Sequence, residues 1–163
     1  MNNNNITIER AFDIDDLSSF SCGIREIDLL IHKKGEGGLL WFISHYPCEF
    51  YKFMENDKPI AIFVTSKHYV LIEEEARDSV EIDFLAVEKG EQKKGYGSLI
   101  LNMTEEKCRE NDYLFLTVGA FVNKRYNAIG FYEKNGFVIN GEKETNAVPM
   151  LNYLGPMQQE QAE

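Results

Sequence analysis

Between an apolar segment ending at Val87 and a helix-periodic one starting near Gly97, the chain reads Gln92-Lys93-Lys94-Gly95-Tyr96-Gly97. Two glycines one residue apart at the mouth of a helix let successive backbone N–H groups converge, and the helix start adds the positive end of its dipole. That is a cradle for an anion, and pyrophosphate is its natural guest. Lys93 and Lys94 add the local positive charge such a guest needs in a chain of net charge -10. Two other phosphate loops are excluded on spacing: there is no GxxxxGK followed by Ser or Thr, and no third glycine completes GxGxxG. Taken alone, the glycine pair describes a tight, closely packed turn as readily as a ligand site.

The elements that must position this turn are legible from periodicity. Residues 80–87 place Val80, Ile82, Phe84 and Ala86 on one face and Glu81 and Asp83 on the other, the period of a strand. A helix is predicted from Gly97 to about Glu110, with Leu99, Ile100 and Met103 on its apolar face and Asn111-Asp112 as its stop. A buried strand at 113–118 follows, then a helix over about 125–134 that ends at Gly136 as a left-handed residue, then a strand at 137–139. Upstream, residues 6–8 alternate as a strand, and Ile24, Ile27, Leu30 and Ile31 recur at helical spacing until the glycines at 35, 37 and 38. Strands at 49–55 and 60–67 make a hairpin over Asn56, Asp57 and Pro59, and the charged stretch 73–78 precedes the strand at 80–87. Alternating strands and helices set on an antiparallel first half make a single domain of mixed α/β (α+β) class. Its expected limits are 6–155, with a flexible start at 1–5 and a polar tail at 156–163.

A chain of 163 residues has room for one domain. No run of eighteen apolar residues and no secretory leader pattern occurs, so a soluble protein without a membrane span is expected. Cys22, Cys48 and Cys108 are odd in number and show no metal-ligand spacing with His32, His45 or His68. Reduced thiols in the cytoplasm and no metal are the resulting expectations. The acidic balance argues against a nucleic-acid partner, which needs a cationic face, and favours basic ones. Trp41, Phe42, Tyr46 and Tyr51 form an aromatic-rich stretch, read as core packing or as a stacking wall for a ligand.

The company that the glycine turn keeps resembles the GNAT superfamily of N-acetyltransferases. Its motif, (R/Q)xxGx(G/A), is met by Gln92, Gly95 and Gly97, and AIGFYEKNGF at 128–137 is similar to the family's second CoA-side helix. The likeness is good over residues 80–137, with wording nearest histone-type lysine acetyltransferases, and follows only element order before that. It implies a central, mostly antiparallel mixed sheet splayed between strands 4 and 5 and flanked by helices, acetyl-CoA as donor, no metal, and an amine acceptor attacking directly. Cofactor contacts carry over to Leu85, Ala86, Val87, Gln92, Lys93, Lys94, Gly95, Tyr96, Gly97 and Ser98, with Asn123 and Asn127 flanking the family's Asn position, which Arg125 occupies here. Glu81 stands where the lysine-acetylating group keeps its general base, with Asp83 sharing its face, and Tyr132 stands where other members place a proton donor for the leaving thiolate. Either side chain could instead be an ordinary strand carboxylate or a packed aromatic. Glu and Tyr together match two subgroups, so the acceptor stays open between a small molecule and a protein. The stretch FxCG at 20–23 is similar to GNAT-type toxins that acetylate aminoacyl-tRNA. A non-catalytic acyl-CoA-binding module and a general nucleotide-binding protein are the competing readings, and both monomer and homodimer are compatible with the sequence.

Overall fold

A computed structural model describes residues 6–155; the expected flexible start and polar tail lie outside the described residues. The elements are β1 (Ile6–Ala11), α1 (Arg25–His32), α2 (Leu39–His45), β2 (Glu49–Glu55), β3 (Lys58–Ile72), β4 (Glu75–Val87), α3 (Tyr96–Glu110), β5 (Phe115–Phe121), α4 (Ile129–Lys134), β6 (Val138–Ile139) and β7 (Ala147–Tyr153). The strands hydrogen-bond in the order β1-β2-β3-β4-β5-β7-β6. Two compact units divide the chain, one of residues up to 66 with 83–97, the other of 67–82 with residues from 98 on.

In the first unit β1, β2 and β3 pair antiparallel. Asn56 and Asp57 have φ of 51° and 63°, the two left-handed residues that a tight hairpin turn demands. Pro59 belongs to β3 rather than to the turn, where the register shifts between Phe53 and Met54; a bulge tolerates the missing N–H. The core packs Leu17, Phe20, Ile31, Leu39, Phe50, Ile62, Val64 and Ala86 together. Lys52 is 5% exposed, and its ammonium is held by Asp16 at 2.5 Å and Asp13 at 3.5 Å, the pairing that a lysine this deep requires. The helix α2 escapes the sequence reading, because Leu39-Leu40-Trp41-Phe42-Ile43 is apolar without a helical period. It forms because Gly38 lets the chain fold closely: a Cβ there would lie 2.3 Å from the Lys33 carbonyl.

In the second unit β4 begins at Glu75, inside the stretch read as a charged connection. Glu73 and Glu74, with φ of 50° and 67°, make another tight hairpin turn from β3, so the charges mark its tip and flanks. The parallel pairing of β4 with β5 is three residue pairs long, Val80 with Leu116, Glu81 with Thr117 and Ile82 with Val118, and stops there. Seven antiparallel pairs then join β5 to β7, and β6 pairs antiparallel with β7.

The buried face of α3 is Ile100, Leu101, Thr104 and Cys108, while Leu99 and Met103, both expected inside, are 42% and 37% exposed. Thr104 hides the true stripe from a hydropathy pattern; its hydroxyl donates to the Ile100 carbonyl, so it can be buried. Helix α4 starts four residues later than expected, at Ile129. It ends as expected on Gly136, φ 94°, with Phe137 N–H donating to the Tyr132 carbonyl and Gly136 N–H to that of Glu133, the paired bonds of a left-handed helix stop. All three cysteines are free. Burial pushes the Cys22 thiol up to about 12, with the Asp28 carboxylate adding to the shift, and that of Cys108 up to about 11.

An L residue in the left-handed region costs about 1–2 kcal/mol. Gly136→Ala is therefore expected to lower unfolding free energy by about that amount, read as a fall in urea midpoint at unchanged slope.

Candidate active site

The turn between β4 and α3 is tied to residues 20–23, all within the first unit. Gln92 Nε2 donates to the carbonyls of Cys22 at 2.6 Å and Val87 at 3.0 Å. Ser21 N–H donates to Glu88 Oε2 at 3.0 Å, and Lys89 N–H to the Ser21 carbonyl at 2.8 Å. Asp28, in the first turn of α1, accepts from Ser21 Oγ at 2.7 Å and from the N–H groups of Cys22 and Gly23 at 2.8 and 3.2 Å. Burial would raise that carboxyl, but these donors outweigh it and hold Asp28 below its ordinary value. The FxCG stretch is thus a loop closed by Asp28 on one side and Gln92 on the other.

Lys93 has φ 65° and Gly95 φ 88°, two left-handed residues separated by Lys94, immediately before the 15-residue helix α3. Such alternation curls successive N–H groups into an anion-binding concavity. A Cβ on Gly95 would meet nothing within 4 Å, so the approach to this backbone is open. Lys94 pairs with Glu91 at 2.9 Å, which raises its pKa. Tyr96 opens α3 and anchors it: the hydroxyl donates to Glu55 Oε2 at 2.7 Å and the ring meets Phe53 edge-on at 6.0 Å. That hydrogen bond, then burial and the Glu55 charge, push the phenol up to about 12. Gly97 and Ser98 lie in the first turn of α3, and Leu85, Ala86 and Val87 end β4, with Ala86 buried.

In the second unit Glu81 Oε2 lies 3.4 Å from His68 Nε2, both partly exposed. Tyr132 is 7% exposed, its ring edge-on to Phe131 and Phe137 at 5.1 and 5.4 Å. Burial, with a smaller push from Tyr126, raises its phenol far above the ordinary range, so it stays protonated at neutral pH. Asn123 Oδ1 accepts from the N–H groups of Arg125 and Tyr126 at 2.8 and 2.7 Å, and Asn127 Oδ1 from Ile129 N–H at 2.9 Å. Both oxygens therefore build the turn before α4, which is why that helix starts late. Sequence reading missed Asp28, Glu55 and Ser21; Glu55 and Ser21 have partners 41 and 67 residues away along the chain, and an acidic residue closely following FxCG was the one local signal.

The acetyltransferase (GNAT) family model matches residues 18–137, and the chain belongs to this family. It is an acetyl-CoA-dependent acyltransferase by that membership. Similar solved structures include a mutant of the toxin AtaT bound to the C-terminus of the antitoxin AtaR and acetyl-CoA, at 19% identity and TM-score 0.71, covering 98% of this chain and 100% of that one. A KacTA–DNA complex is 18% identical with TM-score 0.69, covering 96% and 98%. AtaT complexed with acetyl-methionyl-tRNAfMet is 18% identical with TM-score 0.68, covering 97% and 98%. At such identities the likeness is one of fold. No curated protein matches the sequence. No helix among the described residues is long and apolar enough to cross a membrane.

The Tyr96 proton that bridges to Glu55 is held to higher pH in the folded chain than in the unfolded one. Its stabilisation is full below about pH 10 and is lost as pH rises through about 12. Tyr96→Phe is expected to be less stable than the parent at neutral pH, with the gap closing across that window in urea melts.

Proposed function

We propose that the chain transfers the acetyl group of acetyl-CoA to a primary amine by direct attack, with Glu81 as general base and Tyr132 as general acid. The observation that carries this reading is the turn itself: left-handed Lys93 and Gly95 opening a 15-residue helix, at the family's pyrophosphate motif. Lys93, Gly95, Gly97 and Ser98 would receive the pyrophosphate, and Lys93 has no ion pair among the described residues. Gln92 and Tyr96 serve the site by fixing the turn, through the Gln92 side-chain Nε2 and the Tyr96 hydroxyl, and their main-chain groups are offered to the pyrophosphate. Main-chain groups of Leu85, Ala86 and Val87 would hold pantetheine, an Ala86-side N–H polarising the thioester carbonyl. Asn123 Oδ1 already accepts two hydrogen bonds, leaving its side-chain N–H groups for a ligand, while Asn127 offers its N–H groups and a second lone pair on Oδ1.

In this mechanism Glu81, directly or through water, takes a proton from the acceptor ammonium and passes it to solvent. The neutral amine adds to the thioester carbonyl, the C–S bond breaks, and Tyr132 donates its proton to the departing sulfur before recovering one from solvent. Tyr132 carries its proton at neutral pH, as this role requires, while burial makes it a weaker acid than a free phenol. The second reading takes the amine from an aminoacyl-tRNA. What favours it is the fold shared over 97% of this chain with AtaT, whose complex holds acetyl-methionyl-tRNAfMet. The acidic balance points away from nucleic acid, whereas this fold occurs in complexes with both DNA and tRNA, which keeps an aminoacyl-tRNA acceptor in the panel. The three free cysteines suit a reducing cytoplasm, where we place the protein.

The test follows thiol release from acetyl-CoA with a panel of small amines, lysine peptides and aminoacyl-tRNA. Tyr132→Phe and Glu81→Gln are each expected to lower kcat by about a hundredfold or more while leaving acetyl-CoA affinity within about twofold. Acetyl-CoA binding without turnover on any amine would instead establish the non-catalytic binding module. Protection by ATP but not by CoA would establish the general nucleotide reading.

A further inference from the structure

A cavity of about 520 Å³ opens beside α1 and α2, entirely within the first unit. Its walls carry His32, Lys33, Lys34 and His45 with Trp41, over an apolar floor of Ile14, Leu17 and Leu40. None of the described residues lining it is acidic, in a chain where 27 acidic residues outnumber 17 lysines and arginines. Cations so concentrated against the overall balance select for a negatively charged occupant. Neither Lys33 nor Lys34 has an ion pair among the described residues.

The lining is also held in shape. The close approach of Gly38 to the Lys33 carbonyl fixes the loop after α1, and the Lys33 ammonium lies 3.1 Å from where a Cβ on Gly37 would sit. His32 Nε2 is 2.7 Å from the Phe20 carbonyl and His45 Nδ1 is 2.8 Å from that of Trp41. A carbonyl only accepts, so these nitrogens carry the hydrogens, and His32 Nδ1 and His45 Nε2 are left for a ligand. The His45 ring lies on Trp41 at 4.4 Å and 16°, a flat pair, and His45 is an exposed residue, so the pair offers a platform for a third planar ring. A bare anion would leave this stack unused, and a neutral aromatic would leave the lysines unused.

We propose that this cavity binds a nucleoside monophosphate, free or at the end of a nucleic-acid strand, with the base on the His45–Trp41 stack and the phosphate on Lys33 and Lys34. The residues involved are separate from the 92–98 turn, so the site stands whether or not the acetyl-transfer mechanism above holds. The volume suits a ligand of this size.

Calorimetric titration with AMP, run in saturating CoA so that the CoA-binding turn is filled, tests it. Saturable one-to-one binding is expected, with adenosine and inorganic phosphate each at least about tenfold weaker. The double substitution Lys33→Ala, Lys34→Ala and the single His45→Ala should each weaken AMP at least about fivefold and leave CoA affinity unchanged. All three positions are exposed, and circular dichroism melts check that the variants fold; Lys33→Gln with Lys34→Gln replaces any that does not. A short single-stranded RNA ending in adenosine separates the sources: tighter binding than AMP assigns a strand end, and equal or weaker binding a free nucleotide. Absence of AMP binding, its abolition by CoA, or indifference to all the substitutions overturns the proposal.

Discussion

The segment joining β4 to α3 and the segment leading into α1 have polar backbone groups with no ladder or helix of their own to satisfy them, and they satisfy one another. The Gln92 amide, the Glu88 carboxylate and the Asp28 carboxylate close that exchange. Leaving such buried donors and acceptors unpaired would cost about 1–3 kcal/mol each. Everything proposed for the cofactor rests on this constraint, because an anion cradle works only if its N–H groups are already aimed when the ligand arrives. The turn is therefore held by hydrogen bonds to the segment leading into α1.

The same economy recurs around Tyr132. Tyr132 sits two residues from the end of a six-residue helix, too short to persist by its own backbone bonds. What holds it is the stop at Gly136, whose bonds return to the carbonyls of Tyr132 and Glu133, and the packing of the ring between Phe131 and Phe137. Burial that supports the helix also keeps the phenol protonated. Of the two readings the sequence left for this residue, the packed aromatic is what the structure displays, and the acid role is the one proposed for it.

Sequence periodicity reached the elements whose signals are local. Strand β2 falls on residues 49–55 as read, α3 within one residue of its expected start, and the left-handed stop at Gly136 where a glycine after a helix pattern implies it. It failed where a polar side chain satisfies itself on the backbone. Thr104 concealed the inward face of α3, and Asn123 and Asn127 turned the first four residues of an expected helix into a loop. It failed again at Glu73 and Glu74, whose charges suggested a connection while the backbone required only a two-residue turn. At the site, the residue types named from the motif are present, but the work of Gln92 and Tyr96 could not be read locally. Their partners, Cys22 and Glu55, lie 70 and 41 residues away in the chain.

Buried Cys22 lends its carbonyl to the Gln92 clamp while its thiol stays protonated to about pH 12. A thioester exchanges its acyl group with thiolates far faster than with thiols. An enzyme that handles acetyl-CoA beside a cysteine of ordinary acidity would slowly esterify its own sulfur. Burial, which leaves the residue 4% exposed, keeps the Cys22 sulfur both protonated and out of reach as an acyl acceptor.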